Sequence, residues 1–208
     1  MNDSIDQATH RARRYWYVDG LNEAAFGGLC LLLGVYFQVQ DSLHIPSLLQ
    51  QMLEAGLVLF IVVIVLLLNK LVNFLKERIT YPRSGYVSYR RPNTIRRLAT
   101  GLLAAAIASV LSAVLMIAPP GLDWMAGLTG LALAAVWLFL AWRFQLSRFL
   151  ALSLVSLGGG IFLALMQLDG MAGIAALYFL EGTALLVSGG ITFWAYLRGT
   201  QPAGETEF

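Results

Sequence analysis

Among the residues that could do chemistry, Glu181 stands apart, a carboxylate set midway along a run of apolar and small residues near the C-terminus. An ionised carboxylate in hydrocarbon is costly, and no basic residue stands at comparable depth in any other apolar run, so the position needs a reason. Tyr178, Ala184 and Ser188 fall at helical spacing from it. That small, partly polar stripe turns towards the interior of a bundle. Glu181 with Tyr178 and Ser188 is therefore a candidate intramembrane proton or cation site. The alternative is a glutamate, protonated or hydrogen-bonded to Tyr178 or a backbone carbonyl, that fixes helix packing. Glu23 and Glu54 lie nearer the ends of their runs. Glu23, one turn beyond Asp19, is expected to pair with Arg14 or a basic residue of segment 77–97, and Glu54 to reach headgroups.

A second group is cationic and aromatic. Segment 77–97 carries Glu77-Arg78-Ile79-Thr80-Tyr81-Pro82-Arg83-Ser84-Gly85-Tyr86-Val87-Ser88-Tyr89-Arg90-Arg91-Pro92, with Arg and Tyr interleaved. Pro82 and Ser84-Gly85 are turn signals, and Tyr86, Val87 and Tyr89 favour extended structure, so a short hairpin against the membrane face is predicted. Arg78, Tyr81, Arg83, Tyr86, Tyr89, Arg90 and Arg91 form a candidate contact. Each basic residue near anionic headgroups adds roughly 1 kcal/mol. The same residues suit a membrane or cytosolic protein partner, or a nucleotide.

Enzyme chemistry finds little support. His10 and His44 are the only histidines and are expected on opposite faces of a membrane, too few for a metal site or a catalytic dyad. No Gly-x-Ser-x-Gly elbow, HExxH pair or phosphate-binding loop occurs. Cys30, the only cysteine, allows no intrachain disulfide, CxxC pair or cysteine-rich zinc site. The expectation is a protein that is not an enzyme and carries no cofactor or metal.

The elements that position these groups are helices in a bilayer. Hydrophobic residues make up 58% of the chain and charged ones 12%, more apolar surface than a soluble fold can hide. A spanning helix needs about 20 apolar residues. The pattern predicts an all-α, polytopic membrane bundle of six transmembrane helices, over about 21–38, 53–76, 98–118, 122–142, 149–168 and 172–197. A tail and interfacial aromatic segment (1–20) precede them, with Tyr15, Trp16 and Tyr17 at headgroup level. A polar tail (199–208) follows. The start is polar and has no small-residue cleavage site, so it is read as retained. The second span continues as an amphipathic helix through Asn69, Lys70, Asn73 and Lys76, expected to project from the membrane, and Pro119-Pro120 stops the third.

In this arrangement all 14 Lys and Arg residues fall on one side, and the opposite turns carry only Asp41, Asp123 and Asp169 as charges. That asymmetry places both termini and the 77–97 loop in the cytoplasm. The net charge of +2 is too small to point to nucleic acid.

Small residues recur at four-residue spacing: Gly101, Ala105, Ser109 and Ala113; Ala126, Gly130 and Ala134; Ser156, Gly160 and Ala164. They are read as helix-packing seams, with a substrate groove as the alternative. The first and last spans also echo each other. Asp19-Gly20 is followed after six residues by Gly27-Gly28, and Glu181-Gly182 after six by Gly189-Gly190. Shared packing needs explain this, or else an inverted repeat.

The string ERITYPRSGYVSYRRP, together with YWYVDGLNE before the first span, resembles a group of bacterial multi-pass inner-membrane proteins to which no activity attaches. The resemblance covers the lead-in, the first two spans and the loop, and implies a bacterial inner membrane. The expected function is a non-enzymatic accessory, sensory or scaffolding subunit that contacts the bilayer and a partner through loop 77–97, alone or as an oligomer. The rival is a small proton- or cation-coupled transporter or channel using Glu181.

Overall fold

A backbone in hydrocarbon must satisfy its own hydrogen bonds, which leaves the helix as the local solution for long apolar runs. The computed structural model describes residues 19–42, 47–80, 124–168 and 170–200. They form α1 (Leu21–Ser42), α2 (Ser47–Leu75), which closes on a π-helical turn (Lys76–Thr80), α3 (Met125–Phe144), α4 (Ser147–Leu165) and α5 (Gly170–Gly199). Five helices are long and apolar enough to cross a membrane, and no strand occurs among the described residues. The described residues are all-α, as the sequence predicts. The third predicted span and most of the 77–97 loop, with its predicted hairpin, lie outside the described residues.

Helix ends differ from the predicted ones because a helix does not stop where its apolar run stops. α1 runs on through Gln38–Ser42, where Gln38 donates to Ser42 Oγ at 3.2 Å and Gln40 to Tyr36 Oη at 2.8 Å. α2 passes through Lys76 into the π-helical turn, so residues 77–80 belong to a helix rather than to the predicted loop. α3 ends where Gln145 adopts a left-handed conformation (φ 52°), which reverses the chain into α4 within two residues.

α1 and α5 lie antiparallel in close contact. Gly20 (φ +67°) packs on the carbonyl of Gly189, and a Cβ on Gly27 would lie 2.9 Å from Gly182 O. The two echoing glycine motifs thus pack on each other, so the shared packing need is visible: antiparallel helices crossing through bare backbone want small residues at matching points on both. α3 and α4 form the second close pair. A Cβ on Gly130 would meet Gly160 Cα and Ser156 O at 2.7 Å, and buried Ser153 donates to Ala134 O at 2.8 Å. The predicted seams of α3 and α4 are therefore one seam, seen from its two sides.

Aromatic rings fill the space where the two pairs meet. Trp137 stacks on Phe149 (centroids 5.8 Å apart) and takes Phe26 of α1 edge-on at 5.6 Å. Of the spanning residues of α5, 44% are buried, against 11% for α2. α5 is the axis of the described bundle and α2 its outlying member, with Leu59, Leu66, Leu67 and Leu71 exposed as a lipid-facing surface requires.

Candidate functional site

The polar interior is organised in tiers along α1 and α5. At the outermost tier Asp19 accepts from Leu21 N at 3.3 Å, placing a carboxylate at the positive end of the α1 dipole. The π-helical turn brings Lys76 and Thr80 to the same carboxylate: Lys76 Nζ is 3.5 Å from Asp19 Oδ2, and Thr80 Oγ1 donates to it at 3.3 Å. Tyr196 of α5 completes the cluster by donating to Thr80 O at 3.2 Å. All four side chains are buried. Lys76 and Thr80, at the end of α2 and in its π-helical turn, are thus turned inwards, while Asn69, Lys70 and Asn73 of the predicted amphipathic stretch are exposed. A lysine near hydrocarbon is stabilised by a buried carboxylate, which Lys76 finds in Asp19.

One helical turn deeper, Glu23 faces Arg148 of α4, with Oε1 2.8 Å from Nε. Ser188 donates to Glu23 Oε2 at 3.0 Å, and Arg148 Nη1 donates to Thr192 Oγ1 at 2.9 Å. Thr192 in turn donates to Ser188 O at 2.8 Å. Among the described residues the ionic partner of Glu23 is Arg148, brought in by the tight α3–α4 turn; Arg14 and the bases of segment 77–97 beyond Arg78 lie outside them. Ser188 is likewise drawn to Glu23 rather than to Glu181. The two lie about 10 Å apart along α5, two turns at 1.5 Å per residue.

Glu181 occupies the deepest tier, 1% exposed. Four helices converge there. Ser156 of α4 and Trp137 of α3 flank its carboxyl group, while Cys30 of α1 and Tyr178 of α5 lie within electrostatic range. Ser156 donates its hydroxyl proton to Leu152 O at 2.9 Å. Among the described residues, neither oxygen of Glu181 nor the indole Nε1 of Trp137 has a well-formed hydrogen bond. Tyr178 is half-buried, its ring stacked on Phe37 at 5.6 Å. Of the predicted trio, Tyr178 stays near Glu181 and Ser188 does not. The neighbours that sequence reasoning missed, Trp137 and Ser156, sit on other helices, where local periodicity says nothing.

Two grooves run along the α1–α2 seam: one of about 240 Å³ lined by Leu32, Val35, Tyr36, Val39, Gln40 and Phe60, and one of about 110 Å³ beside Phe26 and Asn69. Glu181 lines neither. Arg78, the described member of the predicted loop contact, is exposed with its guanidinium 4.6 Å over the Phe74 ring. Tyr81, Arg83, Tyr86, Tyr89, Arg90 and Arg91 lie outside the described residues, as do His10 and His44. Arg198 sits 3.5 Å over Trp194, an arrangement that suits the headgroup level. Compared with protein-family models, curated proteins and solved structures, the chain matches none.

Proposed function

We propose that this chain is a six-span, non-enzymatic protein of a bacterial cytoplasmic membrane that serves as an accessory, sensory or scaffolding subunit, with both termini and the 77–97 segment on the cytoplasmic face. The observation that carries this reading is the use of the ionisable side chains. Asp19–Lys76 and Glu23–Arg148 cross-link α1, α2, α4 and α5 at one end, holding groups that a transport route would have to free. Six spans are supported by the direction of the helices. The chain leaves α2 at the Asp19 end, where Thr80 lies, and starts α3 at the other, where Ala126 meets Gly173. An odd number of crossings between them satisfies both positions, and 98–118 is an apolar run of the right length. The orientation is supported by Lys70, Lys76, Arg78, Arg143, Arg148 and Arg198, all on the half of the bundle nearer Asp19. The bacterial inner membrane rests on the resemblance of the 77–97 string.

The test places a photo-crosslinking residue at Arg83 or Tyr86 in native membranes. The expected result is a discrete adduct with one protein, lost when Arg90 and Arg91 become Ala, and co-purification of that protein in gentle detergent. Adducts with lipid alone, and only free protein on purification, would remove the accessory reading. A proton- or cation-coupled transporter is the second reading, favoured by the burial of Glu181 without an ionic partner among the described residues. Uptake into proteoliposomes that Glu181→Gln leaves unchanged would eliminate Glu181 from that role.

A further inference from the structure

Charge inside the bundle does not balance. Among the described residues the buried acids are Asp19, Glu23 and Glu181, and the bases turned to them are Lys76 and Arg148. Each base already has its acid, two tiers away from Glu181 or one. A bare carboxylate in a dry bundle costs several kcal/mol or more, far beyond what neighbouring dipoles without aligned hydrogen bonds return.

The surroundings of Glu181 decide which positive species can settle the imbalance. A metal ion would need a shell of oxygen ligands. Here the flanking groups are an indole N–H, which repels a cation, one serine oxygen, and, farther off, a thiol and a phenol on α1 and α5. Among the described residues no three His, Cys, Asp or Glu side chains gather to hold a metal. A proton fits where a metal does not. Because Ser156 gives its own hydrogen to Leu152 O, its oxygen is left as an acceptor, and Trp137 Nε1 is a donor without a partner among the described residues.

We propose that Glu181 is a proton-binding site: a neutral carboxylic acid whose O–H donates to Ser156 Oγ and whose carbonyl oxygen accepts from Trp137 Nε1. One bound proton then satisfies both Glu181 oxygens and the indole N–H, which otherwise lack partners among the described residues. Among the described residues the titratable groups around it are Cys30 on α1 and Tyr178 on α5; α3 and α4 contribute Trp137 and Ser156, which do not titrate. The proposal stands independently of the accessory-subunit reading, since a subunit with or without a partner can hold this proton.

The experiment is infrared difference spectroscopy of the full chain in nanodiscs at neutral pH. The expected spectrum has a protonated-carboxyl C=O band that shifts in D₂O, vanishes in Glu181→Gln, and moves in both Trp137→Phe and Ser156→Ala as each removes one hydrogen bond. Glu181→Gln keeps the wild-type melting midpoint, because an amide has the shape and neutrality of the acid. Should that variant fail to fold, ¹³C-labelled glutamate in the wild type, Trp137→Phe and Ser156→Ala proteins reads the same band. Carboxylate bands alone, a band indifferent to both neighbours, or a band abolished by sodium or potassium ions would overturn the proposal.

Discussion

Gly27 of α1 and Gly182 of α5 meet backbone to backbone, a Cβ built on either lying 2.9 Å from the carbonyl oxygen of the other. A carbonyl oxygen cannot move aside as a side chain can, and the same holds one crossing point along, where a Cβ on Gly189 would lie 2.8 Å from Gly20 O and Ala24 N. Among the described residues, a Cβ on Gly28 or Gly190, next to them in sequence, would meet nothing within 4 Å.

The neighbouring glycines make an internal control. Gly27→Ala and Gly182→Ala should each destabilise the protein by about 1–3 kcal/mol through overpacking. Gly28→Ala and Gly190→Ala should be neutral or stabilising by up to about 1 kcal/mol from helix propensity. Unfolding in mixed micelles measures all four. Equal losses at the two kinds of site would contradict the crossing.

Arg148→Met should destabilise by about 3–5 kcal/mol, because it strands the Glu23 carboxylate in the interior. Adding Glu23→Gln should recover a large part of that loss, since the stranded charge disappears. A thermodynamic cycle over the four proteins checks this; strict additivity would mean the pair does not interact.

Lys76→Met should release the end of α2 from Asp19 and Tyr196. Val72, buried one turn before Lys76, reports the release. In a Cys30→Ala background, Val72→Cys should react slowly with a maleimide when Lys76 is present and several times faster in Lys76→Met. Unchanged reactivity would show that apolar packing alone seats this helix end.

The sidedness proposed for the bundle predicts labelling from opposite compartments. In the same background, Asp41→Cys should react with an impermeant thiol reagent added outside spheroplasts, and Arg198→Cys only after the membrane is opened. The reverse pattern would invert the topology.

Helix positions were legible because the apolar runs are long and charges interrupt them seldom. The small-residue seams were legible too, as Ala126, Gly130 and Ala134 repeat at the spacing that Ser156 and Gly160 answer. Burial of Glu181 followed from its depth and the stripe around it. The partners of the charged groups were not legible. Glu23 meets Arg148 through a contact between α1 and α4, and local periodicity holds no information on which helices become neighbours. The signal that existed was stoichiometric: Asp19 and Glu23 sit four residues apart on one face of α1, and Lys76 and Arg148 each lie at the end of an apolar run on the same side. The echo of Asp19-Gly20 in Glu181-Gly182 was visible, but its meaning needed the helix directions. Opposed helices in mutual contact select matching glycines without any common origin.

The contact of α1 with α5 also sets an order of events during synthesis. Insertion proceeds from the N-terminus, so the glycine face of α1 must wait in lipid until the last described helix arrives to cover it. During that interval Glu23 lacks Ser188 and Thr80 lacks Tyr196, leaving polar atoms without their final partners at the membrane surface. A chain that stops before residue 170 lacks both contacts and leaves the Gly20 and Gly27 face of α1 without α5.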